Sequence, residues 1–312
     1  MDKMIVGCGY LGRRVARSWL SDGHRVWALT RSATHAEQLA SLGIEPIIGD
    51  ICRPGTLANL PAVDTVLFAV GYDRESENSQ REVYVDGLRS VLEVVAGNPR
   101  KCQRFLYISS SSVYGQSAGE WVDESSECRP AQPGGVCCFD AEQLVLKSFE
   151  RSPAEPASVH LVPSANILRL SGIYGPDRLL SRVSALRAGE PIAGRGDAWL
   201  NLIHVDDAVL AVRACEESGQ PNQIYLVSDD APVRREEYYG MLARLTGSPI
   251  PTFNPAATAS RGSGGINKRC SNRRIREELN LALNYPTITA GLPHAIGTSA
   301  DSLAHRLNSP HE

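Results

Sequence analysis

Two short stretches of this chain hold residues whose types and spacing could do chemistry. The first is Gly7-Cys8-Gly9-Tyr10-Leu11-Gly12, a Gly-x-Gly-x-x-Gly. Glycines at this spacing let the backbone approach a dinucleotide pyrophosphate, and the N–H groups of a following helix face its charge. The second is YISSSSVYGQSAG, Tyr107 to Gly119, in which four serines precede a Gly-x-Ser-x-Gly. Two chemistries compete for it. Ser109 to Ser112 stand where a strand runs out into a loop, and a hydroxyl there can polarise a substrate C–O group. Ser117, centred in Gly115–Gly119, has the spacing of a hydrolase nucleophile, which needs a strand directly before it and a helix directly after. Val113-Tyr114 before it and Glu120-Trp121-Val122-Asp123 after it are loop-like, so Ser117 is expected to be a turn residue.

A glycine motif means little unless a strand leads into it and a helix leads out. Apolar runs predict strands at Met4–Val6, Arg25–Leu29, Glu45–Ile48, Thr65–Ala69, Phe105–Ile108, Ala165–Leu170 and Gln223–Val227. Helical patterns lie between them, at Leu11–Leu20, Ala33–Leu42, Ser79–Ala96, Asp140–Phe149 and Asp206–Glu217. This alternation predicts an α/β fold: a Rossmann-type, doubly wound parallel sheet covered on both faces. Turn residues interrupt it at Arg129–Gly135 and Ser248–Gly265, and the last third has the scattered short elements of a small C-terminal lobe. The expected division is a dinucleotide-binding domain at 1–172 plus 202–227, with the lobe at 173–201 plus 228–312.

The chain has 312 residues, 42% hydrophobic and 21% charged, with a net charge of -3, which gives no global attraction to nucleic acid or anionic lipid. It opens without a signal peptide and contains no run long enough to span a membrane. Its eight cysteines include no Cys-x-x-Cys, so neither a zinc site nor a thioredoxin-like motif is indicated. A cytoplasmic protein with reduced, mostly buried thiols is expected.

The end of the second strand should choose between NAD and NADP. A carboxylate there accepts from the ribose 2′-OH, whereas an arginine favours a 2′-phosphate. Leu29-Thr30-Arg31-Ser32 offers no carboxylate, so NADP(H) is expected over NAD(H), with Arg31 as the main phosphate ligand and Arg13 as a lesser one.

With GCGYLG, IIGD (Ile47–Asp50), YISSSSVYG (Tyr107–Gly115), LRLSGIYGP (Leu168–Pro176) and LIHVDDAVLAV (Leu202–Val212) in this order, the chain resembles an extended short-chain dehydrogenase/reductase of the nucleotide-sugar epimerase/dehydratase group. The resemblance implies that Gly7, Gly9, Tyr10, Leu11 and Gly12 hold the pyrophosphate and that Asp50 and Ile51 flank the adenine. It further implies that Ala69-Val70-Gly71 line the nicotinamide-side wall, beside Ser109. Ser110, three residues before the Val of Val-Tyr-Gly, takes the position of the catalytic hydroxyl. Ser111 and Ser112 stand where dehydratase members are often acidic, which argues against dehydration. Arg169, Tyr174, Asn201 and His204 are the expected substrate-side residues, with Asp206 or Asp207 capping the helix after His204. Trp199 is expected to stack on a flat ligand or to pack the lobe. A small-molecule substrate follows, with a homodimer as the one protein assembly considered, and no nucleic acid or membrane.

The family's acid/base pair, Tyr-x-x-x-Lys, is absent from the helix where the resemblance expects it. Gly134 and Cys138 take its positions, and Gly134–Leu146 contains no tyrosine. Tyr114 could supply a phenol in its place; Tyr84, in the preceding helix, and Cys137 or Cys138 are lesser substitutes. The sequence therefore supports an oxidoreductase or epimerase acting on a small carbonyl or nucleotide sugar, against a catalytically silent NADPH sensor or partner module.

Overall fold

The computed structural model describes residues 1–98, 102–150, 163–178, 180–257 and 265–297. Part of the break at Ser248–Gly265, and the last stretch of the expected lobe, 298–312, lie outside the described residues. The first half runs β1 Asp2–Val6, α1 Tyr10–Ser21, β2 Arg25–Thr30, α2 Ala33–Ser41, β3 Glu45–Ile48, β4 Thr65–Phe68, α3 Gly87–Gly97, β5 Arg104–Ser110, β6 Glu120–Val122 and α4 Pro133–Ser148. There follow β7 Ser164–Leu170, β8 Gly172–Tyr174, α5 Leu180–Arg187, β9 Ile192–Ala193, β10 Trp199–Leu200, β11 Leu202–His204 and α6 Val205–Ser218. The chain continues through β12 Ile224–Val227, β13 Val233–Arg234, α7 Arg235–Thr246, β14 Phe253–Asn254, β15 Lys268–Cys270 and α8 Arg273–Glu278.

Seven strands form one parallel sheet in the order β12-β7-β5-β4-β1-β2-β3. Successive residues of a strand face opposite sides of a sheet, and the apolar strands here bury both. Met4, Val6, Val66, Phe68, Phe105 and Ile167 pack on Leu88 and Val91 of α3 and on Ala141 and Val145 of α4. Ile5, Ala28, Leu67, Leu106 and Leu168 pack on Val15 and Trp19 of α1 and on Ala208 and Val212 of α6. Strand order reverses between β1 and β4, and such a switch point opens a crevice at the carboxyl ends of the strands.

Two elements depart from expectation. α4 begins at Pro133 rather than Asp140, so the Arg129–Gly135 break ends inside a helix. Pro133 suits a first helical turn, where its missing N–H goes unused. Gly135 is required there by packing: a Cβ would stand 2.5 Å from the Ser112 carbonyl oxygen. The helix expected over Ser79–Ala96 is present, running from residue 80 to Gly97, and departs only in a π-helical turn, Glu82–Asp86, that leads into α3.

The remaining strands pair off in twos, β8 with β11, β10 with β13, β9 with β14 and β6 with β15. Beside them Tyr174, Leu186, Tyr238, Leu242 and Leu292 form a separate apolar cluster. No described helix is long and apolar enough to cross a membrane.

Candidate functional site

The three loop glycines meet three different constraints. Gly7 has φ +94°, and a Cβ on it would lie 2.6 Å from the Ala69–Val70 backbone, so it packs β1 against the end of β4. A Cβ on Gly12 would lie 2.7 Å from the Gly7 carbonyl oxygen, so this glycine lets α1 sit close to the strand. Gly9 is different: a Cβ there would meet no protein atom within 4 Å and would enter the crevice instead. This is the arrangement that a pyrophosphate at a helix N-terminus requires.

The crevice is a cavity of about 520 Å³. Its walls include Gly7, Gly9, Tyr10 and Leu11, then Asp50 and Ile51 beyond β3, and Ala69-Val70-Gly71 beyond β4. Arg31 lines the β2 end, about half exposed, with a guanidinium nitrogen 3.7 Å from Asp73. His35, in the first turn of α2, stands beside it, its Nδ1 3.1 Å from the Thr30 hydroxyl. Sequence reasoning missed His35, whose only signal is its place one helical turn beyond Arg31. The residues present suit a dinucleotide.

At the end of β5 the four serines separate. Ser109 points inward and its hydroxyl donates to Glu142 at 2.5 Å. The Ser110 oxygen accepts from the Ser112 amide at 3.1 Å and thereby caps a 3-10 turn, Ser111–Val113. That bond uses the oxygen as acceptor, leaving the O–H able to donate elsewhere. Ser117 is exposed, with no helix after it, and the chain proceeds into β6. It is not a nucleophile elbow.

Several expected site residues are held in the interior. Arg169 is buried beneath the serine turn, where it makes two bonds to Glu142, at 3.0 and 2.7 Å, and a third to the Tyr114 hydroxyl at 2.6 Å. A buried charge persists only when paired and hydrogen-bonded, and Arg169 satisfies this within the protein rather than through a ligand. Tyr114, offered as a catalytic phenol, is fully buried, with burial driving its pKa up beyond the ordinary tyrosine range. Asn201 does not face a cleft: its amide donates to the Lys268 carbonyl at 3.0 Å and accepts from the Cys270 amide at 2.7 Å, clamping β15.

His204 is also fully buried instead of facing the cleft. Its Nδ1 accepts from the Asp206 amide at 3.2 Å and so caps α6 itself, the role expected of Asp206 or Asp207. Asp207 instead accepts from the amides of Asn284 and Tyr285. With Nδ1 accepting, Nε2 carries the proton and faces His294 Nδ1 at 3.2 Å. Burial holds the His204 pKa down at about 4, with His294 and Arg14 adding to the depression against the pull of Asp206. His204, Asp206 and His294 come within metal-ligand reach of one another, but this tautomer directs an N–H, not a lone pair, at the shared space. Tyr174 packs against the His204 ring and is almost wholly buried, its hydroxyl without a hydrogen-bond partner among the described residues. Trp199 is partly exposed under the Arg234 guanidinium, 3.8 Å from its ring centre.

The helix that follows the serine turn offers no tyrosine–lysine pair beside Ser110. α4 contains no tyrosine, and the space above Gly134 is bordered by the Gln80 amide, 3.4 Å from where a Cβ would stand. Cys138 is buried, which pushes its thiol up to about 12. Tyr84 turns its hydroxyl to accept from the Tyr72 amide at 3.1 Å, in the wall of the cofactor crevice. All eight cysteines are free thiols.

A switch-point crevice floored by a glycine loop, in a seven-stranded parallel sheet, defines a Rossmann-type protein. Residues 4–228 match the NAD dependent epimerase/dehydratase family, and the chain belongs to that family. It is 26% identical over 294 residues to Protein YeeZ of Escherichia coli (strain K12), spanning 90% of this chain and 95% of that one. It is likewise 26% identical over 270 residues to the 4-hydroxy-2-methyl-3-oxo-4-farnesyl-3,4-dihydroquinoline-1-oxide ketoreductase of Stigmatella aurantiaca, spanning 83% of this chain and 77% of that one. Among solved structures it is similar to MoeE5 in complex with UDP-glucose and NAD, with a TM-score of 0.75 at 25% identity, covering 97% of this chain and 100% of that one.

Proposed function

We propose that the protein is an NADP(H)-dependent oxidoreductase or epimerase of the extended short-chain type, working on a small carbonyl compound or a nucleotide sugar. The observation that carries the cofactor half of this reading is the end of β2, where Arg31 and His35 line the crevice and no carboxylate follows the strand. Among the described residues Arg31 is held by an exposed pairing with Asp73, and such pairs contribute about 0–1 kcal/mol. It can therefore turn to a 2′-phosphate at little cost. The ketoreductase of Stigmatella aurantiaca and MoeE5 with UDP-glucose support the two substrate classes.

In this reading residues 1–172 and 202–227 carry the cofactor, and 173–201 with 228–312 form the lobe that covers the substrate, in a cytoplasmic protein. The bound nicotinamide supplies or accepts the hydride. Gly7, Gly9, Tyr10, Leu11 and Gly12 seat the pyrophosphate, Asp50 and Ile51 flank the adenine, and Ala69-Val70-Gly71 line the nicotinamide side. The Ser110 O–H donates a hydrogen bond to the substrate oxygen and stabilises the charge that develops there. Arg169, Glu142, Ser109 and Tyr114 fix the turn that aims Ser110.

A silent NADPH-binding module is the second reading, favoured by the absence of any tyrosine from α4 and by Gln80 beside Gly134. Loss of NADPH absorbance with a panel of carbonyl compounds, and epimer formation from a panel of nucleotide sugars followed by NMR, separate the two. Turnover that falls in Ser110→Ala supports the enzyme; cofactor binding with no turnover across the panel supports the module.

A further inference from the structure

Two described lysines are buried, and their surroundings differ. Lys3 is neutralised by Glu216, with Nζ 2.7 Å from the carboxylate. Lys268 is 5% exposed, and no carboxylate among the described residues pairs with it. Its Nζ donates instead to a neutral acceptor, the Tyr114 carbonyl oxygen, at 2.9 Å.

The backbone sets this placement. β15 runs parallel to β6 with Lys268 opposite Glu120, and the Asn201 amide clamps its other edge. Lys268 and Cys270, two residues apart on one strand, share a face. The Cys270 thiol on that face lies against the hydroxyls of Ser111 and Ser171, at the ends of β5 and β7. The face is therefore turned to the serine turn. The nearby cation, Arg169, is neutralised by Glu142. Lys268 is thus a buried cation with no carboxylate partner among the described residues, bonded to the Tyr114 end of the serine turn.

Burying an ammonium against a neutral oxygen is unfavourable, and burial accordingly lowers the Lys268 pKa. A carboxylate would neutralise it and form a charge-assisted bond, roughly twice as strong as a neutral one. We propose that Lys268 is the anion-recognition residue of the substrate site, and that the substrate is an oxo acid whose carboxylate displaces the Tyr114 carbonyl while its oxo oxygen meets Ser110. One compact ammonium balances one carboxylate; a diphosphate carries more charge and is matched better by the fork of an arginine.

This inference rests on the reductase reading above. The test is calorimetric titration of the NADP⁺-loaded protein with 3-oxohexanoate and with its methyl ester, which needs no turnover. The acid should bind at least tenfold more tightly than the ester. Lys268→Met should reduce the acid to the affinity of the ester, and Lys268→Arg should restore part of the difference. Equal binding of acid and ester by the wild-type protein overturns the proposal whether or not the variants fold, as does a Lys268→Met protein that keeps the preference. UDP-glucose binding that depends on Lys268, without binding of the acid, overturns the carboxylate assignment. Failure to bind either nicotinamide cofactor would instead overturn the underlying reading.

Discussion

Arg169→Met separates a framework residue from a substrate contact. The Arg169 and Glu142 side chains are 3% and 0% exposed, and their pairing joins the Ser109 and Tyr114 hydroxyls into one network. Removing the guanidinium leaves the Glu142 carboxylate buried with Ser109 as its remaining partner. Breaking such a pair costs about 3–5 kcal/mol. With a denaturant slope of about 3 kcal/mol per M, the urea midpoint should fall by about 1–1.7 M. The double variant Arg169→Met/Glu142→Leu, which buries no charge, should regain more than half of that loss. Urea unfolding followed by circular dichroism measures both, and NADPH affinity should stay unchanged in each. An Arg169→Met protein as stable as the wild type, with a raised KM, would refute the framework role and return Arg169 to the substrate.

Three further outcomes follow from the same geometry. Gly9→Val should fold normally and lose NADPH binding in a fluorescence titration, because its side chain would enter the crevice without touching protein atoms; wild-type affinity would reduce the loop to a structural turn. Burial raises the Asp229 carboxyl from 3.8 to about 8, so the native state binds the extra proton, and the stability it gives is complete below the unfolded value and lost as pH rises through 8. Asp229→Asn should abolish this loss, on the order of 5 kcal/mol, across pH 4 to 8; identical pH profiles in urea unfolding would contradict it. Ser110→Ala should raise the barrier by about 2.7–4 kcal/mol in steady-state assays while Ser117→Ala leaves kcat unchanged, and a serine-reactive phosphonate that labels Ser117 would reverse that order.

The sheet was legible because its inner strands are buried on both faces and read as continuous apolar runs; β7, expected at Ala165–Leu170, is buried throughout and begins one residue earlier, at Ser164. The start of α4 was not, because Pro133-Gly134-Gly135 has the composition of a turn, and only the approach of the Ser112 carbonyl explains the second glycine. The crevice was legible where its shape depends on backbone, as at Gly7 and Gly9. It was illegible where function depends on which way a side chain turns. Arg169, Tyr174, Asn201 and His204 have residue types that could serve a substrate, yet hydrogen bonds or burial fix each of them inside. Lys268 lies 154 residues from the turn it touches, and no local spacing could have revealed it.

Cofactor choice turns on the end of β2. Parallel fluorescence titrations of NADPH and NADH into the wild-type protein and Arg31→Ala test it directly. NADPH should bind more tightly to the wild type, and Arg31→Ala should lose that preference, at most about 1.5–3 kcal/mol for one charged hydrogen bond, with NADH affinity unaltered. Equal affinities in the wild type, or a preference for NADH, would contradict the assignment of Arg31 and with it the NADP(H) reading.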